Sequence, residues 1–208
     1  MNSIQFKNRL SEFHIFSTQD IFKAVPNFSY RQLDRWVKKD YIIKIKKGFY
    51  IFADKIIHYL FLYQIANIIY SPSYISLEKA LKIYGFIPEE VFQITSVTTK
   101  KANNFETALG NFKYQHIKPG LYWGYKLMKK DGFKILIAEP EKAILDYLYL
   151  HPEFNTQNYF IELRINIDVF YEQINFEKLQ KYLKAFNNKA LTKRTQMFLE
   201  FLKTLKND

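Results

Sequence analysis

The sequence predicts an α+β fold, read from three features: a helix pair followed by a basic β-hairpin within the first fifty-three residues, strand-like periodicity between residues 91 and 137, and helical stripes on either side of it. The chain has 208 residues, of which 48% are hydrophobic and 18% aromatic, enough apolar material for a sizeable core. No cysteine is present, which excludes disulfides and thiolate metal sites and fits a reducing, cytoplasmic location.

The opening segment MNSIQFKNRLSEF carries charges through its middle and reads as a short amphipathic helix built on Ile4, Phe6, Leu10 and Phe13, not as a secretory signal. A brief extended step at 14–17 follows. Ser17 then stands three residues before Asp20, close to a capping box, with Ile21, Phe22 and Val25 as the apolar side of a second helix that Pro26 and Asn27 end. Ser29 is placed to cap a third helix. In it Tyr30, Leu33, Trp36 and Val37 recur at helical spacing and should face inward, leaving Arg31, Gln32, Arg35, Lys38 and Lys39 outside. The stretch 41–46 alternates as a strand through Lys44 and Lys46, Lys47 and Gly48 make a turn, and 49–52 returns. Two short helices joined by a tight turn, then a basic hairpin, make the winged helix-turn-helix pattern, expected to span residues 1–53.

Charge distribution supports the same reading. The formal net charge is +11, from 31 Lys and Arg against 20 Asp and Glu. Residues 1–53 hold ten basic and four acidic side chains, whereas 54–208 hold 21 and 16, so the excess is concentrated at the front. The richness in Lys, Asn, Ile, Phe and Tyr fits AT-rich coding, but that bias alone would not gather the charge at one end. A cationic helix and hairpin suit duplex DNA: Arg or Gln can read base edges in the major groove while wing lysines neutralise phosphates. The expected DNA-binding set is therefore Ser29, Tyr30, Arg31, Gln32, Arg35, Lys38, Lys39, Lys44, Lys46 and Lys47.

Residues 54–208 should form a second, α+β unit with a small, largely antiparallel sheet and several helices. Residues 54–70 read as a helix that is apolar nearly all round. Its greasy stretch, fifteen residues from 56 to 70, is shorter than the ~20 a membrane span needs. Ser76 can cap a helix through Tyr84 that Gly85 ends. Strands are expected at 91–98, 111–116, 121–128 and 133–137, with turns at Gly110, Pro119-Gly120 and Asp131-Gly132. Pro140 marks the first turn of a helix ending at His151-Pro152, and two further stripes run through Phe176, Leu179, Leu183 and Phe186, and through Leu191, Phe198, Phe201, Leu202 and Leu205.

Signals for catalysis are sparse. His14, His58, His116 and His151 stand singly, no Gly-rich phosphate loop or nucleophile elbow is present, and neither cofactor nor metal is expected. Glu139, Glu141, Lys142 and Asp146, at the end of the final strand, form the strongest catalytic candidate. They suit a metal-dependent nuclease or nucleotide-modifying enzyme docked by the winged helix, though acidic residues at a helix start also complement its dipole. The hydroxyls and lysines of Thr95, Ser96, Thr98, Thr99, Lys100 and Lys101 could hold a phosphate.

The segment WVKKDYIIKIKKGFYIF resembles the winged-helix end of AbiEi antitoxins, which belong to type IV toxin–antitoxin systems of abortive infection, a bacterial defence against phage. SPSYISLEKALKIYGFIPE, ITSVTTKKANNFET, GNFKYQHIKPGLYWGY and IAEPEKAILDYLYLHP look like successive blocks of that family in the same order, over roughly residues 15–152. The resemblance implies a winged helix-turn-helix joined to an antitoxin domain and autorepression through inverted repeats in promoter DNA. It also implies antagonism of a cognate nucleotidyltransferase-type toxin without a stable complex, and no catalytic residues. By position it assigns DNA reading to residues 29–39 and the wing to 44–47. Trp36 and Asp40 depart from the family, which commonly has a smaller aliphatic residue and a glycine there.

Overall fold

A computed structural model describes residues 1–207 and is mixed α+β. The chain begins α1 (Ser3–Arg9), β1 (Phe16–Ser17), α2 (Thr18–Ala24), α3 (Tyr30–Lys38), β2 (Ile42–Lys46) and β3 (Phe49–Phe52). Both opening helices start on reciprocal capping boxes. Asn2 and Gln5 serve α1; at α2, Ser17 Oγ accepts from the Asp20 amide at 3.2 Å while the Asp20 carboxylate accepts from the Ser17 amide at 2.7 Å. The three strands pair antiparallel in the order β1-β3-β2.

This small sheet has two covered faces. On one, Ile42, Tyr50 and Phe52 join Phe6, Leu33 and Trp36 in a core shared with the three helices. Phe6 is its hub, with ring centroids 4.7 Å from Trp36 and 5.1 Å from Phe28. On the other, Ile45 and Ile51 belong to a larger core formed with the rest of the chain, which Ile15 also joins. A boundary at residue 53 therefore crosses packed apolar surface. Of the residues expected to face inward in the opening helices, Ile4 is 70% exposed and Phe13, Phe22 and Tyr30 lie at the surface. The first helix is only two turns long and buries one stripe, Phe6 and Leu10.

The remainder runs α4 (Tyr59–Ile69), β4 (Ser73–Ile75), α5 (Leu77–Ile83), β5 (Ile94–Thr98), β6 (Asn103–Thr107), β7 (Gly110–His116), a 3-10 turn (Pro119–Leu121), β8 (Tyr125–Lys130), β9 (Phe133–Ala138), α6 (Pro140–Leu150), α7 (Gln157–Glu162), α8 (Ile167–Gln173), α9 (Phe176–Phe186) and α10 (Lys189–Asn207). No described helix is long and apolar enough to cross a membrane.

Six strands lie in the order β6-β7-β5-β4-β9-β8, and the expectation of a small, largely antiparallel sheet needs correction. β4 pairs parallel with β9 and β5 pairs parallel with β7, while the remaining pairs are antiparallel. Turn lengths could not reveal the parallel pairs, because each is reached by a longer path through other elements. Neighbouring residues on the central strand point to opposite faces. Ser73 Oγ donates to the Ala66 carbonyl of α4 at 3.3 Å, and the Tyr74 hydroxyl donates to Asp146 of α6 at 2.9 Å. α4 thus covers one face and α6, with α5 packed against it, the other.

The helix expected from residue 54 begins five residues later, where His58 Nδ1 accepts from the Leu60 amide. The strands expected from 91 and 121 begin at 94 and 125.

Candidate nucleic-acid interface

Leu33 and Trp36, one turn apart, seat α3 on the small core with 1% and 7% of their surface exposed. That geometry turns Arg31 and Arg35 outward, with Lys38 and Lys39 exposed at the helix end. Asp40 follows in the left-handed region at φ 53, and the Tyr41 amide returns to the Trp36 carbonyl at 3.0 Å to close the helix. Asp tolerates this conformation better than most residues. Trp36 fills the small core against Phe6 and Phe28.

Three of the expected contact residues at the start of α3 are placed differently from their expected roles. Ser29 occupies the N-cap position of α3, but its hydroxyl makes no capping bond. Tyr30, expected in the core, is 45% exposed and meets Phe22 edge-on at 5.2 Å, joining α2 to α3 at the surface. Gln32 is half-buried and donates to the Met1 carbonyl at 2.6 Å, so its amide is engaged by the chain terminus.

The hairpin splits its lysines between two faces. Lys44 is exposed and stands across the ladder from Tyr50. Tyr50 belongs to the core that Leu33 and Trp36 build, which puts Lys44 on the α3 side of the sheet. Strict alternation would place Lys46 there too. Ile45 is a bulge: Lys44 pairs with Tyr50 and Lys46 already pairs with Phe49. Lys46 consequently turns toward the larger half, half-buried, with its ammonium 4.6 Å from the Phe105 ring centroid and 5.5 Å from that of Tyr70. Desolvation, then the nearby Lys100, lowers its pKa. It is no freely projecting wing cation. Lys47 is exposed at the turn, which the Thr18 amide holds by donating to the Gly48 carbonyl at 3.0 Å. Among the described residues, none of Arg31, Arg35, Lys38, Lys39, Lys44, Lys46 or Lys47 forms a salt bridge.

The catalytic candidates at the start of α6 divide between two networks, the enclosed Lys142–Asp146 pair and Glu139 with Glu141 around Lys178, and among the described residues no three carboxylates or histidines converge. Lys142 and Asp146 pair with both side chains fully enclosed. Asp146 also accepts from Tyr74 and from Ser76 at 2.9 Å, so Ser76 sits at the start of α5 with its hydroxyl turned to this network and not to the helix. Tyr74, Trp123 and Phe186 surround the Lys142 ammonium. Glu141 accepts from the Asn175 amide at 2.9 Å, and Glu139 accepts from Tyr182 and, at 2.8 Å, from Lys178. Each charged group bonds another element of the fold. Neither the Lys142 nor the Asp146 side chain has any surface for a substrate to touch.

The phosphate reading of residues 95–101 is also revised. Thr95 Oγ1 donates to the Ser76 carbonyl and Thr98 Oγ1 to the Pro72 carbonyl, and Ser96 is buried. Only Lys100 and Lys101 remain exposed. Sequence reasoning did not foresee that these lysines adjoin the hairpin, because nothing local links residue 46 to residue 100.

No family model matches the chain, and no curated protein matches it.

Proposed function

We propose that residues 1–53 form a winged helix-turn-helix that binds promoter DNA, and that the chain is the antitoxin and autorepressor of an AbiE-like type IV toxin–antitoxin pair. The order α1-β1-α2-α3-β2-β3, with the sheet ordered β1-β3-β2, supports the fold assignment. One observation carries the DNA reading: Arg31 and Arg35 project from the side of α3 opposite its buried Leu33 and Trp36, with no carboxylate paired to either among the described residues. A guanidinium fork free of an internal partner suits the O6 and N7 acceptors of guanine in the major groove. The antitoxin role rests on the resemblance of the five sequence blocks.

The test is a gel-shift series on duplex from upstream of the chain's own reading frame. Arg31→Ala and Arg35→Ala should each cost about 1–3 kcal/mol of operator affinity. Unchanged affinity in the double variant would remove α3 as the reading helix. Co-expression with a neighbouring nucleotidyltransferase tests the antitoxin role: relief of growth arrest is expected, and persistent arrest would refute it.

A further inference from the structure

Lys46 and Lys100 come from segments 54 residues apart in sequence, yet their ammonium groups lie 5.5 and 5.3 Å from the centroid of one ring, Tyr70. The loop that carries Lys100 is fixed from both sides. The Tyr70 hydroxyl donates to the Lys101 carbonyl at 2.9 Å, and His116 Nδ1 bonds the Lys100 carbonyl at 2.9 Å. The Lys46 ammonium also lies 5.2 Å from the Phe49 ring centroid and 4.6 Å from that of Phe105. Among the described residues no carboxylate pairs with Lys46, Lys100 or Lys101. Two like charges thus gather around one aromatic ring, one of them partly desolvated, without an internal counter-ion.

We infer that Lys46 and Lys100 form a phosphate-binding pair, through which the six-stranded half shares in contacting the backbone of duplex DNA. The inference rests on the DNA-binding reading and adds, through Lys100, a contact outside the helix and wing. Exposed Lys47, next to Lys46 at the hairpin turn, and exposed Lys101, next to Lys100, add cationic surface beside the pair. A phosphodiester supplies the missing negative charge, and its oxygens accept from both ammonium groups. Burial of Lys46 adds to the effect, since a partly desolvated cation attracts an anion more strongly than one in bulk water.

Counter-ion release measures such contacts directly. Binding of the full chain to a mixed-sequence duplex of about two helical turns is followed over a salt series, giving a slope of log affinity against log salt that scales as about 0.9 per neutralised phosphate. Lys100→Ala, an exposed change, and Lys46→Met, which keeps an apolar stem on the rings, should each weaken binding several-fold at low salt. The double variant should flatten the slope by about 0.9. Lys203→Ala, exposed on α10, should leave it unchanged. A wild-type slope in Lys100→Ala and in the double variant overturns the pair while leaving the helix and wing intact. Failure of the wild type to bind duplex at all overturns the DNA reading as well.

Discussion

Lys142 and Asp146, one turn apart on α6, form an ion pair in which neither side chain has exposed surface. Burial pushes the Lys142 ammonium down and the Asp146 carboxyl up, each opposed by the other's charge. The pair survives because Tyr74 and Ser76 donate to the same carboxylate. Removing one partner leaves the other charged and alone, so Lys142→Met or Asp146→Leu should cost about 3–5 kcal/mol. The Lys142→Met/Asp146→Leu double variant should lose less than the sum of its singles, because no unpaired charge is left behind. Urea unfolding followed by far-UV circular dichroism decides this; additive losses would show that the two side chains are not coupled.

Gly124 approaches this pair at φ 72. A Cβ there would stand 3.1 Å from Lys142 Cγ and Cδ and 3.2 Å from Tyr182 Cε2, and Lys142 is fully buried. Gly124→Ala should therefore destabilise by about 2–3 kcal/mol, combining backbone strain with overpacking. Gly110 has φ 122 but nothing within 4 Å of its Cβ position, so Gly110→Ala should register backbone strain alone and cost less. Equal melting temperatures for the two variants would contradict the close approach at Gly124.

These residues also mark where sequence reasoning stops. Pattern and capping chemistry foretold α2 and α3, because Ser17/Asp20 and the Leu33–Trp36 spacing are local signals. α7 and α8 escaped since each is short and buries only Phe160 or Phe170 within its span. β6 escaped because it is a polar edge strand with no fully buried side chain. The bulge at Ile45 leaves the alternation of 41–46 looking regular, so Lys44 and Lys46 read as neighbours on one face. Arg31 and Arg35 were legible as outward cations, whereas the Lys46–Tyr70–Lys100 meeting depends on tertiary packing alone.

Ser17 and Ser76 were both read as helix caps, and their alanine variants should separate the two environments. Ser17 does cap α2, so Ser17→Ala should cost about 1 kcal/mol, the usual worth of a cap. Ser76 donates to a buried carboxylate, and Ser76→Ala should cost about 1.5–3 kcal/mol, the range for a hydrogen bond to a charged group. If Ser76→Ala lowers the unfolding midpoint no more than Ser17→Ala does, Asp146 does not depend on that hydroxyl.

Glu139 ties the end of β9 to α9 and makes stability depend on pH. Burial alone would raise its carboxyl, but hydrogen bonds from Lys178 and Tyr182 outweigh that and hold it below the usual carboxylate range. The Tyr182 hydroxyl is in turn pushed up to about 12, by burial and by its bond to Glu139. A depressed carboxyl stabilises the fold fully above its unfolded value of about 4.5, and the contribution disappears as pH falls through the lower folded value. Lys178 is raised, so its share is present below its usual range and fades as pH climbs through the raised folded value. Glu139→Gln should thus lower stability near neutrality by about 1–2 kcal/mol, since the pair is partly exposed and solvent screens it. The gap between variant and wild type should close as pH falls through the lowered folded value, where the native carboxyl takes up its proton. Melting temperatures recorded from neutral to acid pH test the sign. A gap that stayed constant across the acid limb would mean that Glu139 acts through packing and not through its charge.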